Sequence, residues 1–125
     1  MNIENFLSPP QEYFPAPFWS WNGEMDEMEM KRQLHEMKRQ KWGGHFMHSR
    51  VGLSIPYLSD VWFEKIRACV ESSRQYGLTT WLYDEDKFPS GFAGGLVARL
   101  GEKYRQKALK FVREIEIDLE TDRVL

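Results

Sequence analysis

Three short strand-like runs, at residues 18–21, 45–50 and 78–83, alternate along the chain with two longer stretches, at 25–41 and 59–77. The longer stretches place apolar residues at helical spacing, whereas the short runs are rich in aromatic and β-branched residues or lie between the two helices. Two strands that are connected by a helix usually pair in parallel in one sheet, and the helix makes a right-handed crossover between them. The order therefore predicts an α/β fold with three adjacent parallel strands and both helices packed on one side of them.

Both predicted helices carry their own start and stop signals. Asp26, followed three residues later by Glu29, fits a capping box at the start of the first helix. Ser59 fits the N-cap of the second helix. Glycine favours the left-handed conformation that ends many helices, so Gly43-Gly44 and Gly77 are the expected stops.

The chain is short and nearly neutral. Its 125 residues suit one small domain, and its net charge of −2 gives no reason to expect binding to nucleic acid or to an anionic membrane. The single cysteine, Cys69, lies in the apolar stripe of the second helix, where we expect a structural role and no disulfide. Residues 1–17 lack the features of a secretory signal, and no stretch reaches the ~18 apolar residues of a membrane span. We therefore expect a cytoplasmic location.

These elements are too few to complete a parallel sheet. Such sheets need both faces covered, and a complete (β/α)₈ barrel takes roughly 250 residues. After the third strand the pattern changes: residues 109–119 alternate between apolar and polar, and 120–122 could turn the chain into 123–125. We expect an antiparallel β element here, and we expect the whole chain to be the opening part of something larger.

Polar and aromatic clusters follow each predicted strand. In a parallel sheet the carboxyl ends of the strands share one rim, where ligands bind. Carboxylates and amides exchange hydrogen bonds with hydroxyl groups, and indole stacks on the apolar face of a sugar ring. The rim thus suits a polyhydroxylated ligand. The candidate substrate-binding residues are Trp21, Asn22, His48, Arg50, Asp84, Glu85 and Asp86.

Some of these residues also have purely structural readings, which the sequence leaves open. The acidic run at 84–86 could be a solvated turn, and Trp19 and Trp21 could pack in the core. Alternation places Asp84 and Asp86 on one face of the third strand and Glu85 on the other, without saying which face is the binding one.

The remaining histidines and tryptophans give weaker signals. His45 and His48 lie three apart on a strand, hence on opposite faces, and no third ligand is near, so we expect neither a metal nor any other cofactor. We expect Trp42, Trp62 and Trp81 in the core.

Three segments of the chain form a recognisable combination: WNGEM, HSRVGL followed by PYLS, and WLYDEDKFPSG. With the sequence around them, from about residue 17 to 95, they resemble the start of the catalytic barrel in glycoside hydrolases like the family 106 α-L-rhamnosidases. The resemblance implies a partial (β/α)₈ TIM barrel, with its first three parallel strands and two helices, followed by an antiparallel β element. Residues 1–17 would be a proline-rich arm, 18–100 the N-terminal portion of the barrel, and 101–125 the truncated start of a β-rich element.

The resemblance also implies a carbohydrate substrate and a divided active site. Hydrolysis of an O-glycosyl bond needs two carboxylates, which the resemblance places on later strands outside this chain. The candidate residues at the rim would then bind substrate, and the chain alone would be inactive. A non-catalytic carbohydrate- or partner-binding α/β module, and a purely structural fragment, stay open as alternatives.

This chain departs from the family pattern at two places. His45 stands where a small apolar residue would suit the strand, and Lys87-Phe88 stands where the resemblance predicts Gly-Trp.

At the shared rim we expect Arg50 to approach Asp84 or Asp86 within about 4 Å, or His48 to approach Glu85. We also expect the unpartnered strand edges to promote self-association.

Overall fold

The computed structural model describes residues 3–111, 117–118 and 123–124. The elements in chain order are α1 (Ile3–Leu7), β1 (Phe18–Trp21), α2 (Glu27–Arg39), β2 (Gly44–Ser49), α3 (Asp60–Tyr76), β3 (Thr79–Leu82), α4 (Leu96–Arg99), β4 (Ile117–Asp118) and β5 (Arg123–Val124).

Strands β1, β2 and β3 form a parallel sheet in that order. Phe18 lies opposite Phe46, and Phe46 lies opposite Trp81, so the three strands are in register across the sheet. Helices α2 and α3 form the two crossovers and pack against each other. The predicted mixed α/β fold with three adjacent parallel strands is confirmed.

The predicted N-caps at Asp26 and Ser59 and the stop at Gly77 are confirmed, whereas the stop predicted at Gly43-Gly44 is not. The side chain of Asp26 accepts a hydrogen bond from the backbone N–H of Glu29 at 2.8 Å, and Ser59 caps α3 in the same way. Gly77 ends α3 with a φ of 63°, in the left-handed region. Helix α2 stops earlier than the predicted 25–41, because Lys41 itself adopts a φ of 59° and turns the chain towards β2.

The core lies between the sheet and the two long helices. Trp21 and Met47 project from the sheet, Leu34 comes from α2 and Cys69 from α3, and each is at most 2% exposed. Both helices therefore cover the same face of the sheet, as the alternation of elements predicts. The structural role expected of Cys69 is confirmed by its complete burial.

Two buried polar contacts join β2 to α3. His45 Nε2 lies 2.9 Å from Ser73 Oγ, and the indole N–H of Trp62 donates to Ser49 Oγ at 2.8 Å. A buried polar group without a partner costs free energy, so these pairs also set the position of α3 along the strand. His45 is tolerated at a buried strand position because α3 supplies this hydroxyl.

The N-terminal arm is more ordered than an extended loop. Helix α1 ends before the prolines at 9 and 10. A 3₁₀ turn at Gln11–Tyr13 lies between these two prolines and the prolines at 15 and 17. The side-chain amide of Gln11 donates to the carbonyls of Gly43, at 2.9 Å, and Gly77. The arm is thereby attached to the amino ends of β2 and β3.

The C-terminal prediction is met in part. β4 and β5 pair antiparallel, with Ile117 opposite Val124, as expected for a hairpin. Residues 109–111 are not in a strand, whereas the rest of the strand predicted at 109–119 lies mostly outside the described residues. Among the described helices, none has the length and apolarity needed to cross a membrane.

Replacing Gly44 with alanine tests the close approach of β2 and β3. A Cβ atom at this position would lie 2.1 Å from the carbonyl oxygen of Thr79 and 2.8 Å from Cζ3 of Trp81, so the two strands must separate. We expect Gly44→Ala to lower the free energy of unfolding by about 3 kcal/mol in urea denaturation. Gly23→Ala is the matched control, because no atom lies within 4 Å of the Cβ it would add, and it should change stability by less than about 0.5 kcal/mol. Equal stability of the two variants would contradict the pairing of β2 with β3.

Candidate functional site

The sheet face opposite α2 and α3 carries aromatic side chains, which are partly exposed except for His48. We call this surface the open face; its residues are Phe18, Phe46, His48, Trp81 and Tyr83. Phe18 is 58% exposed and Trp81 is 41% exposed. The prediction that Trp81 lies in the core is therefore wrong, because β3 turns it away from the helices. Trp62 is confirmed in the core, and Trp42 is half-buried against it.

The open face is built in two tiers along the strands. In the lower tier the ring of Phe46 stacks on Trp81, with centroids 4.8 Å apart, and contacts Phe18 at 5.1 Å. In the upper tier, nearer the carboxyl ends, the rings of His48 and Tyr83 lie 4.4 Å apart. Phe18 touches both upper rings. Along the strands, the apolar lower tier is thus followed by the upper tier, which carries polar atoms.

His48 is the buried polar group of the open face. Its side chain is 8% exposed, and within the described chain its Nε2 has no hydrogen-bond partner. Burial lowers the pKa of His48, the nearby Arg50 charge lowers it further, and Glu85 opposes both. A neutral imidazole that can donate or accept one hydrogen bond therefore stands where the face meets the rim.

The other histidine of β2 belongs to the core. His45 is completely buried on the helix side, with its ring 5.1 Å from that of Trp19, and this burial lowers its pKa to about 4. The two histidines thus point to opposite faces, as the spacing predicts. In the ranges that the structure describes, no group of three or more His, Cys, Asp or Glu residues could hold a metal ion.

The three acids after β3 differ in their surroundings. Asp84 is exposed, and its backbone carbonyl accepts a 2.8 Å hydrogen bond from the phenol of Tyr57. Glu85 is half-buried, and its charge acts on His48. The side chain of Asp86 is only 11% exposed, with Oδ2 lying 3.8 Å from Nζ of Lys87. The run is therefore more than a solvated turn.

The ion pairs expected at the rim do not form. Among residues 3–111, Arg50 makes no ion pair with Asp84 or Asp86, and His48 makes none with Glu85. The backbone N–H of Arg50 donates to the carbonyl of Trp21, which continues the ladder between β1 and β2. Arg50 instead lines a cleft that Asp86 also lines.

This cleft is the cavity at the carboxyl ends of β2 and β3. It has a volume of about 350 Å³ and lies between the loop after β2 and the loop after β3. Its charged and phenolic lining residues are Arg50, Tyr57, Asp86, Lys87 and Arg99. We call it the rim cleft. Apolar side chains of the loop after β2 complete its wall.

The candidate residues thus divide into three groups. Arg50 and Asp86 meet in the rim cleft, whereas His48 lies on the open face with Glu85 near it. Asn22 is exposed and lines a separate groove beside the start of α2. Trp21 is 1% exposed in the core, which is the structural reading that the sequence leaves open.

Several residues of the site have no role in the sequence analysis. They are Phe18, Phe46, Tyr57, Tyr83 and Arg99. The signal for the aromatic ones is the alternation along β3 and β2, which places Tyr83 on the face of Glu85 and Phe46 on the face of His48 and Arg50. Tyr57 and Arg99 come from loops and a short helix, where no periodicity points to them.

Comparisons of the chain with protein-family models, with curated proteins and with solved structures found no match. The resemblance to family 106 glycoside hydrolases and the substrate-binding roles of the candidate residues therefore stay predictions.

The buried imidazole of His45 predicts a loss of stability in acid. Its folded-state pKa of about 4 lies below the ordinary value of 6.5, so the unfolded chain takes up a proton first as the pH falls. Stability is therefore lost between about pH 6.5 and 4, by about 3 kcal/mol. Urea denaturation at pH 7 and pH 4 should show this loss, and His45→Gln should remove it, because glutamine stays uncharged.

His35→Gln is the matched control for this measurement, because His35 is exposed on α2. This variant should lose as much stability in acid as the parent protein. If His45→Gln were as acid-sensitive as the parent, the acid effect would have another source and His45 would not be held neutral in the core.

Proposed function

We propose that this chain supplies part of the sugar-binding pocket of an α-L-rhamnosidase-like glycoside hydrolase, whose (β/α)₈ barrel is completed by further βα units. The observation that carries the proposal is the continuity of the open face with a rim of carboxylates at the carboxyl ends of parallel strands. Ligands of parallel α/β folds bind at this end of the sheet.

The aromatic rings and the acids together match the chemistry of a sugar. The apolar face of a pyranose ring stacks on an aromatic ring, and Trp81 and Tyr83 offer such rings on one surface. Sugar hydroxyls donate to carboxylates, and Glu85, whose charge acts on His48, provides one beside that surface. The neutral imidazole of His48 adds a partner that carries no charge at pH 7.

The arrangement of the sheet supports a barrel. Helices cover one face, and aromatic side chains occupy the other, as on the outer and inner surfaces of a (β/α)₈ barrel. In the described residues, β1 and β3 are each paired along one edge, so further strands could extend the sheet on both sides. The open face would then line the interior of the barrel, with the upper tier nearest the carboxyl ends of the strands.

Binding and catalysis are separate in this proposal. Hydrolysis needs an acid and a base or nucleophile, with carboxyl groups roughly 5–9.5 Å apart across the glycosidic bond. The resemblance places that pair on later strands. Here His48, Tyr83 and Glu85 hold the sugar ring in position, and the chain by itself does not turn over substrate.

A non-catalytic binding module is the second candidate. It is favoured by the exposure of Trp81 and Phe18, because an apolar sheet face of this kind also suits burial against another protein or a second copy of the chain. The two candidates make different predictions for the same variant.

Binding of methyl α-L-rhamnopyranoside, measured by saturation-transfer difference NMR, tests the proposal. The ring protons should receive saturation from the aromatic residues, and Trp81→Ala and Tyr83→Ala should each weaken binding about two- to tenfold, since one aromatic contact contributes ~0.5–1.5 kcal/mol. Tyr13→Ala is the matched control, because Tyr13 is exposed in the 3₁₀ turn, which is attached to the amino ends of the strands.

Sedimentation of the same variants separates the two candidates. If Trp81→Ala turned a dimer into a monomer and left rhamnoside binding unchanged, the open face would be a protein-docking surface and the sugar-pocket proposal would be wrong. Loss of sugar binding in a chain whose sedimentation does not change supports the pocket.

A further inference from the structure

The free edge of β1 carries main-chain groups that β2 does not use. β1 is an outer strand of the sheet, and the carbonyls of Pro17 and Trp21 accept hydrogen bonds from the main chain of β2 and of the residue after it. Alternate residues of a strand direct their N–H and C=O groups to opposite sides, so those of Phe18 and Ser20 point to the free edge. Such an edge is a template for a further strand.

A groove runs between this edge and α2, on the helix side of the sheet. We call it the edge groove; it has two parts, and Trp19 and Gln33 line both. The first part, of about 300 Å³, lies at the start of β1, where Pro17, Met37 and Trp42 contribute apolar surface. The second part, of about 210 Å³, lies beside the end of β1 and the start of α2. A strand added to β1 would place every second side chain over this groove.

The second part of the edge groove is acidic. Its lining contains Glu24, Asp26 and Glu29, and the described residues that line it include no lysine, arginine or histidine. Glu29 is paired with Arg32, whereas within residues 3–111 neither Glu24 nor Asp26 forms an ion pair. A cationic side chain of an added strand would therefore be attracted to the second part, and an apolar side chain suits the first.

The segment at 107–111 has the pattern that this groove requires. Lys107, Leu109 and Phe111 alternate with two other residues, so an extended segment presents these three on one side. Leu109 is 106% exposed and Phe111 is 88% exposed, and the whole segment is in no helix or strand. Large apolar side chains thus lie in water, in a segment whose pattern is that of a strand.

From this complementarity we propose that the free edge of β1 binds residues 107–111 of a second copy of the chain as an antiparallel strand. The main chain of that segment completes the hydrogen bonds that Phe18 and Ser20 direct outwards. An antiparallel strand at the edge of a parallel sheet is a common arrangement in α/β proteins. The inference does not depend on the sugar pocket, because the edge groove lies on the helix side of the sheet.

The antiparallel direction brings each side chain to the matching part of the groove. When Phe111 is opposite Pro17, the segment runs against β1 and Lys107 is opposite Trp21. The two apolar side chains then cover the first part of the edge groove, and the ammonium group reaches the acidic second part. The parallel direction would place the lysine against the apolar part. Charge and hydrophobicity therefore select one direction.

A second copy is the occupant because the segment and the edge lie at opposite sides of the sheet. The segment begins after Arg105, whose side chain donates to the carbonyl of Ala98 at 3.2 Å, and α4 lines the same cleft as the loop after β3. β3 and β1 are the two outer strands. About a two-fold axis, each copy donates one segment and accepts the other, so the same contact forms twice. In a completed barrel another strand would cover this edge, so the dimer belongs to the chain without further βα units.

Sedimentation velocity of the 125-residue chain, between about 10 and 500 μM and in about 50 mM NaCl, tests the inference. We expect a monomer–dimer equilibrium, and Phe111→Ser should raise the dissociation constant of the dimer at least about tenfold, because it removes a buried apolar ring. Phe88→Ser is the matched control: Phe88 is equally exposed, at 88%, but lies in the loop after β3, so its replacement should leave the constant unchanged.

Charge reversal tests the register. Lys107→Glu and Glu24→Lys should each raise the dissociation constant at least about threefold, and the double variant should return it to about the parent value, because the two charges then attract again. Lys110→Glu is the control within the same segment, since Lys110 points to the other side of the added strand. It should change the constant less than about twofold. A double variant as weak as the two single ones would overturn the pairing of the lysine with the acidic part.

Hydrogen exchange locates the contact. The amide of Ser20 should exchange more slowly as the protein concentration rises, and in Phe111→Ser it should not. A monomer over the whole concentration range would overturn the inference, as would a dimer that Trp81→Ala disrupts and Phe111→Ser does not. Protection of Ser20 that is independent of concentration would mean that the chain covers its own edge, and would overturn the second copy as occupant. Rhamnoside binding is measured separately, so failure of the dimer leaves the sugar pocket standing.

Discussion

The hydrogen-bonded pairing of β2 with both of its neighbours is the interaction on which the rest of this structure depends. The approach to β3 is so close that the start of β2 must be glycine, since a Cβ at Gly44 would collide with the Thr79 carbonyl. Along the helix side, His45 and Ser49 bond to α3 and set its position. Along the other side, Phe46 and His48 hold the rings of β1 and β3 together. One strand therefore organises both the core and the candidate site.

The division between the two sheet faces explains the chemistry at the rim. Because the helices cover one face, Trp21 and Met47 are enclosed and cannot meet a ligand without unfolding the core. The other face keeps its aromatic rings exposed and ends at Glu85 and Arg50. The loops beyond the strands then add a charged cleft beside an aromatic surface.

The sequence predicted the elements well because their signals are local. The caps at Asp26 and Ser59 depend on hydrogen bonds that span three residues, and Gly77 ends its helix through its own backbone conformation. The prediction failed for Trp81, whose fate depends on which face the helices cover, and for the pairing of Arg50 with the acids. The contact of Gln11 in the arm with the distant carbonyl of Gly43 has no local signal in the sequence.

The order of β1, α2, β2, α3 and β3 and the parallel arrangement of the three strands thus followed from residue spacing, because short-range backbone geometry and the handedness of crossovers determine them. Long-range packing determined the rest. It decided that Trp21 is core and Trp81 is surface, although both are tryptophans on short strands. It also brought Tyr57 and Arg99 to the cleft beside Asp86, because loop contacts arise only after the sheet and helices have assembled.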